Sequence, residues 1–135
     1  MYIQTERGRH VGMAEKTLHR FRVLLLIYEE GCRQSRMVWS TFGADDFNVY
    51  ALKASAGAKL WNYTTGRVVH SSPAIANGVL YVGSYDDKVY ALDAATGAEL
   101  WSYTTGKSVL SAPAVVNGVL YTASEDFNVY TFDLP

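Results

Sequence analysis

Beyond residue 40 the apolar positions fall into short runs of β-branched and aromatic residues, separated by turn-forming dipeptides. Asn77-Gly78 and Asn117-Gly118 each sit between two such runs. Asn-Gly supplies the two positive-φ residues of a type I′ hairpin turn. Residues 73–76 and 79–84 are therefore predicted antiparallel neighbours. A polar turn at Tyr85-Asp86-Asp87 precedes a strand over 88–93, and Thr96-Gly97 precedes another over 99–104. Short strands with turns at this spacing predict an all-β fold. No sustained 3.6-residue spacing of apolar residues supports helices there.

The strands are apolar on both faces. Val89-Tyr90-Ala91-Leu92 is continuously apolar or aromatic, yet alternate residues of a strand point to opposite sides. Such strands belong to sheets covered on both sides.

The pattern recurs. Residues 49–88 and 89–128 align without a gap, and 24 of 40 positions are identical. Part of a further copy lies on each side: Asp46-Phe47-Asn48-Val49-Tyr50 returns as Asp126-Phe127-Asn128-Val129-Tyr130. A four-stranded unit of about 40 residues that stacks on copies of itself is a propeller blade. The strands from about Val38 onward group as three, four and three, which is about two and a half blades. A propeller needs roughly 4–8 blades to close.

Ala91-Leu92-Asp93-Ala94-Ala95-Thr96-Gly97-Ala98-Glu99-Leu100-Trp101 resembles the tryptophan-docking motif of quinoprotein-type propellers. The run from Ser111 through Pro113 and Asn117-Gly118 to Tyr121 resembles the strand pair that follows it. On these residues the stretch from about 41 to 135 is identified as a member of the PQQ-like (pyrroloquinoline quinone) repeat family. The resemblance implies that Trp61 and Trp101 stack across blade boundaries on the Ala/Gly-rich turn of a neighbour, with Gly57 and Gly97 permitting that turn. Trp101→Ala would then cost about 3–5 kcal/mol. Asp93 and Thr96 belong to the motif, and the first copy departs from it with Lys53 and Ala56.

The resemblance does not carry a cofactor to this chain. Family enzymes hold a Ca²⁺-linked quinone at the centre of a closed ring, often against a disulfide of adjacent cysteines. Here there is a single cysteine, Cys32. The expectation is a non-catalytic repeat scaffold or binding module with no cofactor and no metal. Many other family members bear the same repeats without a quinone, and resemble the scaffold lipoprotein of the outer-membrane assembly machinery or the sensor domains fused to bacterial kinases. The alternatives are a fragment of a quinoprotein dehydrogenase and the ligand-sensing domain of a bacterial signalling protein. The chain stops after the third strand of its last blade, so a C-terminal fragment of a larger propeller is expected. Exposed blade faces imply a protein partner or self-association into a homo-oligomer. Family members are mostly periplasmic or extracellular.

Residues 1–39 follow other rules. They hold six of the seven arginines, all three methionines and Cys32, with a net charge of +3 against −4 for residues 40–135. They lack the hairpin chemistry and form a separate segment ahead of the repeats at 40–135. Residues 14–28 read as a helix and residues 22–29 equally as a strand. The abrupt change in composition suggests an out-of-frame or mis-assigned origin. The longest apolar run, six residues from Val23 to Tyr28, is too short for a membrane span, and the segment lacks the features of a signal peptide. The overall charge of −1 creates no field for nucleic acid.

His10, His19 and Cys32 have no zinc-site spacing, and Cys32 has no recognisable catalytic partner. His70 occupies the slot of Leu110 and reads as a tolerated substitution. Asp45-Asp46, Asp86-Asp87 and Glu125-Asp126 are acidic pairs in equivalent turns. Because they recur with the repeat, they read as turn chemistry before a Ca²⁺ site. The periodic tyrosines read as packing.

Overall fold

The computed structural model describes residues 2–4, 10–12, 26–29, 38–43, 45–53 and 58–135, with side chains at 45–53 and 58–135. All the regular structure among them is strand. A small hairpin pairs β1 (Tyr2–Gln4) with β2 (His10–Gly12). Three antiparallel sheets follow. The first runs β3 (Leu26–Glu29), β4 (Val38–Gly43), β5 (Asn48–Lys53) and β6 (Lys59–Thr64). The second runs β7 (Ala74–Ala76), β8 (Val79–Gly83), β9 (Lys88–Asp93) and β10 (Glu99–Thr104). The third has β11 (Ala114–Val116), β12 (Val119–Ala123) and β13 (Val129–Asp133).

Neighbours in each sheet are consecutive in sequence and antiparallel. Asn77 and Gly78 take φ of 50° and 75°, and Asn117 and Gly118 take 50° and 77°. These left-handed pairs join Ala76 to Val79 and Val116 to Val119 in register. Both outer strands carry the same bulge. Lys59 opposes Leu52 while Trp61 opposes Ala51, and Glu99 opposes Leu92 while Trp101 opposes Ala91. The extra residue is Leu60 in one strand and Leu100 in the other, and a bulge sharpens the local twist.

One expectation is corrected. From Val38 onward the strands group as three, four and three as expected, but the segment ahead of them is not wholly separate, because β3 pairs with β4 from Leu26↔Thr41 to Glu29↔Val38 and makes the first sheet four-stranded. The sequence hides this strand because residues 30–37 stand where the other copies have Asn-Gly. Of the two readings for this stretch, the strand is found at Leu26–Glu29, where it joins a ladder that a helix could not supply. Residues 13–25 lie outside the described residues, as do His19 and Cys32.

The core fills the two spaces between sheets. Leu80, Val82, Tyr90 and Leu92 of the second sheet meet Val49, Ala51 and Trp61 of the first. From its opposite face, Tyr81, Val89 and Ala91 meet Leu120, Phe132 and Leu134 of the third. The continuous apolar run in β9 is thus divided residue by residue between two interfaces, as the period of two requires.

Candidate functional site

The boundary between the first two sheets is built around Trp61. The bulge in β6 turns its ring toward the second sheet, where it is 8 % exposed. The indole Nε1–H donates to the Ala94 carbonyl at 3.0 Å. The receiving turn is set by Asp93, whose Oδ1 accepts the Ala95 and Thr96 amides at 2.9 and 2.8 Å and the Thr96 hydroxyl at 2.9 Å. These bonds, the Thr96 hydroxyl first, hold the Asp93 carboxyl below the usual range. The turn then passes Gly97 at φ +76°, and a Cβ there would lie 2.6 Å from the Trp61 ring. Glycine is needed both for the conformation and for the approach. In the first copy, Lys53 N–H still donates to Ala58 O at 2.8 Å. Ala56 and Gly57 lie outside the described residues.

Trp101 repeats the geometry only in part. Its ring packs at 5.2 Å from Phe132 of the third sheet and 6.1 Å from Tyr81 of its own. Among the described residues no carbonyl accepts the Trp101 indole N–H, and the ring is half-buried.

A second device recurs at both boundaries and was missed in the sequence. The Gly66 amide at the end of β6 donates to Asp86 Oδ2 at 2.7 Å, and the Tyr90 hydroxyl donates to the same oxygen at 2.6 Å. One repeat later, Gly106 N–H and the Tyr130 hydroxyl converge on Asp126 Oδ2 at 2.8 and 2.6 Å. The Tyr130 hydroxyl, with backbone amides behind it, holds Asp126 down at about 2. Rings follow the same path: Tyr63 packs on Tyr90 at 5.5 Å and Tyr103 on Tyr130 at 5.7 Å. Burial, then the Glu99 carboxylate that accepts its hydroxyl, pushes Tyr63 well above the ordinary range. Burial and Asp86 do the same for Tyr90. The signal available was the fixed spacing of 20 from Thr-Thr-Gly to Asp, followed by Tyr four residues on.

The acidic pairs thus act as turn and boundary chemistry. Asp46 and Asp126 also accept the amides of Asn48 and Asn128 through Oδ1. Among the described residues, no group of three or more His, Cys, Asp or Glu side chains is placed to hold a metal ion. His70 is half-exposed and its Nε2 lies 2.8 Å from Asp45 Oδ1, with the ring edge-on to Tyr85. It has a polar partner of its own and does not sit in an apolar slot. No described helix is long and apolar enough to cross a membrane.

The third sheet leaves a surface open. Tyr121 is 41 % exposed and Val129 68 %, whereas their counterparts Tyr81 and Val89 are 2 % and 0 % exposed. Val116 and Phe127 add to the exposed apolar surface. Among the described residues, no strand pairs with the outer edge of β13.

A family profile described as outer membrane protein assembly factor BamB matches residues 45–134. A search of curated proteins finds no match. Among solved structures, BamB from Moraxella catarrhalis superposes with a TM-score of 0.64 at 24 % identity, over 71 % of this chain and 34 % of that one. The computationally designed Ika4 protein gives 0.69 at 17 % identity, over 87 % of this chain and 69 % of that one. The quinohemoprotein alcohol dehydrogenase ADHIIG from Pseudomonas putida HK5 gives 0.59 at 28 % identity, over 70 % of this chain and 17 % of that one. This chain therefore spans about a third of the natural BamB structure and about a sixth of the dehydrogenase.

Proposed function

The chain belongs to the PQQ-like propeller-repeat family whose matching profile is described as outer membrane protein assembly factor BamB, and from that premise we propose a non-catalytic blade module that docks protein through the open face of its third blade. The observation that carries this reading is the exposure of Tyr121 and Val129, at positions whose counterparts are sealed inside the molecule. Apolar surface of this kind marks interaction sites. Trp61 with Asp93, Thr96 and Gly97 locks the first two blades, and Gly57 is the proposed counterpart of Gly97 in the first copy. The Asn77-Gly78 and Asn117-Gly118 hairpins hold strand register. With the blades fixed in this way, the open face is presented as a rigid surface. In the isolated chain a second copy covers it. Light scattering should show a discrete oligomer that Val129→Lys disperses; a strict monomer would contradict the reading.

A second reading, a fragment of a quinoprotein dehydrogenase, draws on the 28 % identity to the alcohol dehydrogenase structure. Equilibrium dialysis against pyrroloquinoline quinone with Ca²⁺ separates the two. The docking module retains no quinone, whereas an enzyme fragment with an intact site retains it with a changed absorbance.

A further inference from the structure

We propose that Asn77 is a site of spontaneous deamidation and isomerisation, and that the isoaspartate formed there releases the Trp61 lock between the first two blades. The chemistry needs no partner and does not depend on the docking reading above.

Glycine after asparagine leaves the attacking main-chain nitrogen unshielded, because it carries no side chain. The Gly78 nitrogen attacks Asn77 Cγ. A bond forms between them, and the bond from Cγ to the side-chain amide nitrogen breaks. That nitrogen leaves as ammonia with the Gly78 amide proton. The product is a five-membered succinimide, which solvent water opens. Opening at Cγ gives aspartate. Opening at the main-chain carbonyl of residue 77 gives isoaspartate, whose main chain is longer by one carbon. Water enters, ammonia leaves, and nothing is oxidised or reduced.

The fold leaves the reacting groups accessible. Asn77 is exposed, and nothing lies within 4 Å of the place a Gly78 Cβ would take. Among the described residues, the Gly78 N–H donates to no acceptor. The consequence lies on the other side of Gly78. Its carbonyl accepts the Ala94 N–H at 2.9 Å, and Ala94 O accepts the Trp61 indole N–H at 3.0 Å. The hairpin turn thus holds the turn that receives Trp61. It also sets Ala76↔Val79 and Ile75↔Leu80. Ile75 packs on the core shared with the first sheet, and Ala76 and Val79 on the core shared with the third. Turn length fixes hairpin register, so an added main-chain carbon disturbs both the pairing and the lock. Aspartate keeps the chain length and tolerates positive φ. Asn117-Gly118 has the same pair of φ signs, and Gly118 O accepts Leu134 N–H at 2.8 Å. Among the described residues no indole donates to Leu134, which makes Asn117 an internal control.

The full chain is incubated in mildly alkaline buffer, which favours the nitrogen attack. Peptide mapping with electron-transfer fragmentation separates isoaspartate from aspartate. Hydrogen exchange of the Trp61 indole N–H is followed by NMR on the same samples. Isoaspartate is expected at residue 77, and in that fraction the indole should exchange about tenfold faster or more. Asn77→Gly keeps a turn that Gly-Gly allows and cannot form the ring, so its indole protection should survive the incubation. Fresh Asn77→Asp should stay within about threefold of the parent, which assigns the loosening to the extra carbon and not to the charge. Asn117→Gly should loosen at Trp61 as the parent does. The peptide Ala-Ile-Ala-Asn-Gly-Val-Leu calibrates the reaction. No isoaspartate at residue 77 when this peptide has fully converted overturns the proposal. So does isoaspartate at residue 77 with an unchanged indole, or equal loosening of incubated Asn77→Gly.

Discussion

The second and third blades share most of their sequence, yet they live in different surroundings. The second is sandwiched, and both faces of β8 and β9 are sealed. Among the described residues the third has a neighbour on one side only. Val89 is fully buried while Val129 is 68 % exposed, and the residue type has not changed. Burial in a repeat fold belongs to position in the stack and not to the residue. The same motif is a structural seal in one copy and an available surface in the next.

The sharpest way to break the comparison is at the two tryptophans. Trp61 has a ring slot, a turn carbonyl and a glycine shaped around it, so Trp61→Ala should cost about 3–5 kcal/mol. Trp101 is half-buried and meets no such turn among the described residues, and Trp101→Ala should cost less than about 2 kcal/mol. Urea unfolding of both variants checks this. Equal losses would mean that the turn contributes little. Gly97→Ala comes next. It forces a Cβ into the Trp61 ring and leaves an alanine at φ +76°, which together should cost about 2–4 kcal/mol. Gly78→Ala has the same φ and nothing within 4 Å, so it should cost about 1 kcal/mol. The difference between the two glycines measures the docking contact by itself.

Much of this was legible from residues. The Asn-Gly hairpins, the strand over 88–93 and the strand over 99–104 follow from local turn chemistry, and that chemistry survives in the fold. The two-faced apolar run in β9 foretold the sandwich. Two features were not legible. Strand β3 has no hairpin signal, since residues 30–37 replace the tight turn, and its place in the sheet is fixed by pairing with β4. The Asp–Tyr–Gly clip joins residues 20 apart on different sheets, so Asp86 and Asp126 look like turn residues until the sheets are stacked. His70 looked like an apolar slot because Leu110 fills it one repeat later. Its partner, Asp45, is far away in sequence.

A milder test substitutes one position in each blade. Val89→Thr buries a hydroxyl where no partner waits and should cost about 1–3 kcal/mol. Val129→Thr in dilute solution should fall within about 0.5 kcal/mol. If Val129→Thr is as damaging as Val89→Thr, its face is already covered in solution. A concentration dependence of that loss would identify a second copy as the cover.

The smallest expected effects are in pH, with carboxyls acting at the acid end of the scale and tyrosines at the alkaline end. Between the second and third blades, hydrogen bonds from Tyr130 and from backbone amides hold Asp126 at about 2, against about 3.9 in an unfolded chain. Between the first and second blades Asp93 and Glu99 are lowered as well, by the Thr96 and Tyr63 hydroxyls first. A carboxyl with a depressed folded value stabilises fully above its unfolded value and loses that contribution as pH falls toward the folded one. Melting temperature should therefore drop between about pH 4 and 2, and Asp126→Asn should flatten part of that slope. The groups are exposed, so solvent screening keeps the effect modest. For the boundary tyrosines the sign reverses. Tyr63 and Tyr90 are raised, by burial first, above their ordinary value near 10. Their contribution is whole below about pH 10 and is lost as pH rises beyond it. Tyr90→Phe should blunt the alkaline loss and leave the acid slope from Asp126 in place. An unchanged alkaline loss in Tyr90→Phe would mean that this hydroxyl contributes nothing to it.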